Sequence, residues 1–94
     1  GLRFAACVTA PVSGRIMNVF TDMPAMQIYT GCCLESVNPG RCGRRYGQYE
    51  AFCMETQFAP DSIHHPNFPD SVLYAGEKYD YTTVFTFDTT ADEA

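Results

Sequence analysis

Apolar and polar positions along this chain recur mostly with a period of two, and several runs carry β-branched or aromatic residues. The clearest run is 79–87. There Tyr79, Tyr81, Thr83, Phe85 and Phe87 alternate with Asp80, Thr82, Val84 and Thr86. Successive side chains of a strand point to opposite faces, so this pattern predicts a half-buried antiparallel strand. A β-rich run over 2–9 ends at the turn chemistry of Pro11, Ser13 and Gly14, and a second strand is predicted over 15–21. Pro24 breaks that strand, and 26–30 forms a third that stops at Gly31. A fourth is predicted over 51–56, and 71–74 reads as short and extended before a turn at Ala75 to Glu77. Gly40, Gly43, Gly47 and Pro39 mark 38–47 as a surface loop, and three prolines make 60–69 an irregular connection. No amphipathic helix of useful length and no internal repeat is evident. The expectation is an all-β chain, with 88–94 as a frayed acidic tail.

Composition narrows the class. The 94 residues are 46% hydrophobic and 18% charged, which is globular and matches one small domain or part of a larger one. There is no long apolar run to cross a membrane and no secretory pattern of a basic region followed by an apolar one. A net charge of −5 argues against nucleic acid as a partner. The single basic cluster, Arg41, Arg44 and Arg45, reads as a solvated loop or, more sharply, as a contact for a phosphate. Five cysteines, Cys7, Cys32, Cys33, Cys42 and Cys53, give an odd count without C-x-x-C spacing, so neither zinc nor a dithiol redox motif is supported. Adjacent Cys32 and Cys33 do not bridge easily. Cys7 and Cys53 lie in apolar runs and read as buried thiols, and the compartment reads as reducing.

The residue with the strongest chemical potential is Glu55. It stands inside the apolar run Phe52, Cys53, Met54, Glu55, where a buried carboxylate is costly and suited to exchanging protons. The other reading is an outward-facing glutamate, since alternation puts Glu55 with Cys53 and opposite Phe52 and Met54. Gln27 shares a strand face with Tyr29 and serves as either a surface amide or a ligand contact. His64 and His65 read as loop histidines bonded to backbone, and Asp61 and Asp70 as turn formers bonded to their own backbone. No nucleophile elbow, phosphate loop or dinucleotide fingerprint is present, and Cys53 has no evident histidine partner.

The order of these segments then becomes specific. Phe52-Cys53-Met54-Glu55-Thr56-Gln57, Pro60-Asp61 and His65-Pro66-Asn67-Phe68-Pro69 resemble the C-terminal signature of the galactose mutarotase (aldose 1-epimerase) family. Pro24-Ala25-Met26-Gln27-Ile28-Tyr29-Thr30-Gly31 resembles the family's P-G-x-Q-x-Y-T-G strand, and 73–79 with 82–87 its closing hairpin and last strand. The resemblance implies a large antiparallel β-sandwich of which 1–94 is the C-terminal segment. It implies interconversion of α and β anomers of hexoses such as galactose and glucose, in the cytoplasm, without metal or organic cofactor. Carried over by motif, Glu55 is the general base and Gln27 a sugar contact. The family's general-acid histidine, second sugar-binding histidine, arginine and aspartate lie upstream of the matched region, so the N-terminal part of the same protein is the implied partner. Alone, the chain is then expected to be inactive. Two other readings stand beside it: an epimerase of hexose 6-phosphates using the arginine cluster, and a non-catalytic carbohydrate-binding or structural fragment. Ala25, Ala51, Ala59 and His64 depart from the family pattern, and Ala25 disturbs a turn if the family glycine there needs positive φ.

Overall fold

The computed structural model describes residues 1–90. It is all-β and antiparallel, with no α-helix among those residues. Five strands form: β1 (Arg3–Thr9), β2 (Arg15–Thr21), β3 (Ala25–Tyr29), β4 (Cys53–Gln57) and β5 (Thr83–Thr89). They make two sheets, a three-stranded one in the order β1-β2-β5 and a two-stranded one of β3 and β4. Single 3₁₀ turns at Arg41–Gly43 and Ser62–His64 punctuate the two long connections.

The strands form where the β-branched and aromatic runs lie, and their ends follow from the partners available. β1 and β2 close a hairpin over Pro11 to Gly14, where Gly14 has φ +76° and its N–H donates to Ala10 O at 2.8 Å. Phe4 opposes Phe20 across this hairpin, and their rings meet edge to face at 5.7 Å. β2 is the central strand and pairs with β5 from Arg15↔Thr89 to Thr21↔Thr83. That register corrects two expectations. The strand predicted over 79–87 starts four residues later, because β2 ends at Thr21 and the chain turns away through Pro24, leaving 79–82 no ladder. Tyr79 and Tyr81 instead stack edge to face at 4.9 Å, and Tyr81 meets Phe58 at 5.5 Å. The first three residues of the stretch expected as a frayed tail, 88–90, are instead bonded to the sheet. Asp88 and Thr89 pair with Ile16 and Arg15, and Thr90 N–H donates to Gly14 O at 2.9 Å; residues 91–94 lie outside the described residues. The stretch 71–74 forms no strand. Ala25 lies in β3 opposite Gln57 and is not among the positive-φ residues, so no turn is strained there.

Burial is concentrated in one place. Val19 is fully buried and Met23 nearly so, and Thr21 is the most buried polar residue. The Thr21 hydroxyl donates to Thr82 O at 3.1 Å and accepts the Met23 N–H at 3.1 Å. Thr83 Oγ1 lies 3.1 Å from Thr21 Oγ1, and Thr56 Oγ1 lies 2.7 Å from Thr83 Oγ1. A hydroxyl has one proton to give. With the Thr21 proton on the Thr82 carbonyl, Thr83 donates to Thr21 and Thr56 donates to Thr83. This relay runs from β4 through β5 into β2 and joins the two sheets. Arg3 adds donors to Met23 O at 2.7 Å and Thr21 O at 3.4 Å, and Asp22 Oδ1 accepts the Thr82 N–H at 2.9 Å.

The far end of the smaller sheet is held by Gly31. Its φ is +78°, and a Cβ there would lie 2.2 Å from Ala51 O. Gly31 O accepts the N–H of Tyr49, itself at φ +63°, at 2.9 Å, so the turn after β3 is locked to the segment entering β4.

Two substitutions test these anchors by urea unfolding. Thr21→Val removes the hydroxyl at nearly constant shape and strands buried partners, so it is expected to cost about 1–3 kcal/mol, whereas exposed Thr86→Val stays within about 0.5 kcal/mol. Gly31→Ala forces both a disfavoured φ and a backbone clash and is expected to cost more than about 1 kcal/mol. Equal midpoints for Thr21→Val and Thr86→Val would show that the threonine relay contributes nothing.

Candidate functional site

The two-stranded sheet sets the candidate site through its register. Gln27 on β3 directly opposes Glu55 on β4, and Tyr29 opposes Cys53. Directly opposed residues share a face, and residues two apart on a strand share it too. Gln27, Tyr29, Cys53 and Glu55 therefore occupy one face, with Ile28, Met54, Met26 and Thr56 on the other. Gln27, Cys53 and Glu55 are exposed and Tyr29 is half-buried. Of the two readings of Glu55, the structure takes the outward-facing one: alternation puts it on the open side of β4. Cys53 follows it outward and is exposed rather than buried. So is Cys7, which stands on an uncovered face of the edge strand β1.

Among the described residues the Glu55 carboxylate has no hydrogen bond or ion pair. Its neighbour Gln27 does not occupy it, since Gln27 Nε2 donates to Ile28 O at 3.3 Å. A free carboxylate opposite an amide that both donates and accepts is an arrangement able to take a proton from a hydroxyl and to bind a second hydroxyl alongside. Positions on either side are fixed: Thr56 enters the hydroxyl relay next to Glu55, and Tyr29 Oη accepts the Cys33 N–H at 3.1 Å.

The other sequence-derived candidates are placed elsewhere. Asp61 sits at φ +60°, and its carboxylate meets both histidines, His64 Nδ1 at 2.5 Å and His65 Nε2 at 3.3 Å. The histidines thus bind a side-chain carboxylate, not backbone, because the left-handed Asp61 opens a single 3₁₀ turn that stacks them on one side. Asp61 in turn serves them and not its own backbone. Asp70 does bond its own backbone, accepting the Val72 N–H at 3.0 Å. His65 also stacks on Phe68 at 4.7 Å. Among the described residues no group of three or more His, Cys, Asp or Glu converges as a metal site. In the basic loop Arg44 pairs with Glu50 and lies over Tyr46 at 6.0 Å, so its guanidinium is engaged within the chain, while Arg41 and Arg45 are exposed. Sequence reading passed over the aromatic cleft of about 190 Å³ lined by Phe58, Asp70, Tyr74, Tyr79 and Tyr81. Its sequence signal is the tyrosine spacing at 79 and 81, which fits strand alternation equally well.

Comparison with known proteins gives this geometry a context. A family model described as aldose 1-epimerase matches residues 2–86. The galactose mutarotase of Bos taurus is 44% identical over 85 residues, covering 90% of this chain and 25% of its own length. The galactose mutarotase of Homo sapiens is 43% identical over 84 residues, covering 89% and 25%. The aldose 1-epimerase of Escherichia coli (strain K12) is 34% identical over 89 residues, covering 93% and 25%. The chain spans about a quarter of the length of the curated relatives it matches.

Proposed function

The chain belongs to the aldose 1-epimerase family, and on that premise we propose that it is the base-bearing C-terminal segment of a mutarotase acting on hexoses such as galactose and glucose. The observation that carries this reading is the Gln27↔Glu55 register pair, a free carboxylate and an amide side by side on one open face. Glu55 takes the proton of the anomeric hydroxyl. A general acid protonates the ring oxygen as the C1–O5 bond breaks. The aldehyde end rotates, and the ring closes on the other face with the proton transfers reversed, so the base returns its proton as an acid. Gln27 holds a neighbouring hydroxyl and fixes the sugar against the sheet. No step calls on a metal or organic cofactor.

The general acid belongs to the N-terminal part of the same protein, which is the proposed partner of this segment. Taken alone, the 94 residues hold a base without its acid and do not turn sugar over. Apolar groups such as Phe87, 76% exposed, and Ile28, 59% exposed, are the surfaces that such a part would cover. Free sugars are preferred over hexose 6-phosphates in this proposal, since Arg44 is committed to Glu50. Five free thiols suit a reducing compartment such as the cytoplasm. No helix among the described residues is long and apolar enough to cross a membrane.

Polarimetry of freshly dissolved α-D-galactose with the natively purified protein tests the assignment. Glu55→Gln keeps size and exposure and is expected to lower the catalysed rate by about 100-fold or more with the unfolding midpoint unchanged. Gln27→Ala is expected to raise KM by roughly 5- to 30-fold, the loss of one or two hydrogen bonds to sugar. A folded Glu55→Gln protein that retains the full rate would remove Glu55 as the base. A native protein that binds galactose without accelerating the trace would favour the non-catalytic carbohydrate-binding alternative.

A further inference from the structure

Cys32 and Cys33 form the turn that follows β3, and their Sγ atoms lie 3.8 Å apart. Both residues are exposed and neither is in a disulfide. Adjacent Cα atoms are held about 3.8 Å apart by a trans peptide, short of the roughly 4.4–6.8 Å that disulfides span, so this pair resists closing on itself. It is well placed to close on a third atom. Four-coordinate zinc needs more ligands than converge among the described residues. A monosubstituted trivalent arsenical needs two thiolates only, and soft thiolates favour soft acceptors.

The turn is also mechanically tied to the face of Glu55. Cys33 N–H donates to Tyr29 Oη at 3.1 Å, and Tyr29 shares that face with Gln27, Cys53 and Glu55. Gln48 Nε2 donates to Cys32 O at 2.9 Å, and Gly31 O accepts both the Tyr49 and the Leu34 N–H. The Gly31 bonds hold the near side of the turn, where even a Cβ at Gly31 would lie 2.2 Å from Ala51 O. A ligand that draws the two sulfurs together must therefore be accommodated at Cys33.

We propose that Cys32 and Cys33 are a bidentate thiol site for a soft trivalent electrophile of the organoarsenical class, R–As(OH)₂, and that its occupation releases Cys33 from Tyr29. Two S–H bonds and two As–O bonds break, two As–S bonds form, and two waters leave with the thiol protons. No oxidation state changes. The site is independent of the sugar chemistry assigned above, so it stands or falls without reference to turnover.

The test uses the native protein and one equivalent of phenylarsine oxide. Intact mass is expected to show a single adduct equal to the phenylarsenic group less two hydrogens. It should persist in excess glutathione, a monothiol, and disappear with dithiothreitol. Peptide mapping should place it on the fragment carrying both cysteines. Cys32→Ser and Cys33→Ser should each abolish the glutathione-resistant adduct, and Cys7→Ser and Cys42→Ser should keep it. Amide exchange at Cys33 should quicken by about tenfold in the adduct as its hydrogen bond opens. A resistant adduct mapped to other cysteines, or none at all on folded protein, overturns the site. Unchanged exchange at Cys33 in a fully formed adduct overturns its link to Tyr29. Mapping on the unsubstituted chain decides the matter should a serine variant fail to fold.

Discussion

The arrangement depends on one buried hydroxyl. Thr21 ends the central strand at the point where the chain leaves the larger sheet, and its side chain gathers contacts from four residues: Met23, Thr82, Thr83 and, through Thr83, Thr56. That relay joins the smaller sheet to the larger one, beside the ring contact of Phe58 after β4 with Tyr81 ahead of β5. Hydrogen bonds each contribute modestly to net stability, but a buried polar group left without partners is expensive. A relay of hydroxyls concentrates that penalty: losing any one member orphans its neighbours, so the three threonines are held as a set. Arg3 and Asp22 extend the same knot to the first strand and to the backbone ahead of β5.

Around this knot the packing is thin. The Cα radius of gyration is 17.2 Å, against about 12 Å expected for a compact domain of the same length. Val19 and Met23 form nearly all of the buried apolar core. A sheet of this kind has two faces and two edges, and here large apolar side chains on both faces meet little of the chain itself. Tyr74, Tyr79, Phe85 and Phe87 are exposed together with Phe52. Hydrophobic burial is the main force that holds a β-layer, and its shortfall here matches a chain that spans about a quarter of its relatives. The polar knot sets the relative position of the sheets, while the apolar faces are the surfaces on which a further layer would pack.

Much of this was legible in the sequence, for identifiable reasons. Four of the five strands follow from β-branched and aromatic runs bounded by Pro and Gly, and the sharing of one face by Glu55 and Cys53 follows from alternation. What pattern could not supply was partnership. The run from Tyr79 to Phe87 alternates without a break, yet its first four residues have no ladder, because β2 had already ended at Thr21. Asp88 and Thr89 look like an acidic tail, yet β2 starts early enough, at Arg15, to pair them. Cys7 and Cys53 sit in apolar runs, and run composition says nothing about which face is covered. Asp61 belongs to the same class. Its left-handed backbone, set by the loop, turns it towards two histidines that sequence alone leaves to the backbone.

The same reasoning explains why the candidate base can be both exposed and well placed. β4 is pinned on its outgoing side by Thr56 against Thr83, 27 residues away in sequence. On its incoming side Ala51 packs against Gly31, and Tyr49 bonds to the same residue. Both anchors are made by the backbone or by neighbouring side chains, so neither consumes the carboxylate. In the proposed role, fixing Glu55 by its flanks leaves its oxygens free for a substrate hydroxyl while holding the Cα in register with Gln27. A base fixed by bonds to its own carboxylate would have to break them in order to act. The separation of anchoring from chemistry is what the strand register, the glycine turn and the threonine relay together achieve at Glu55.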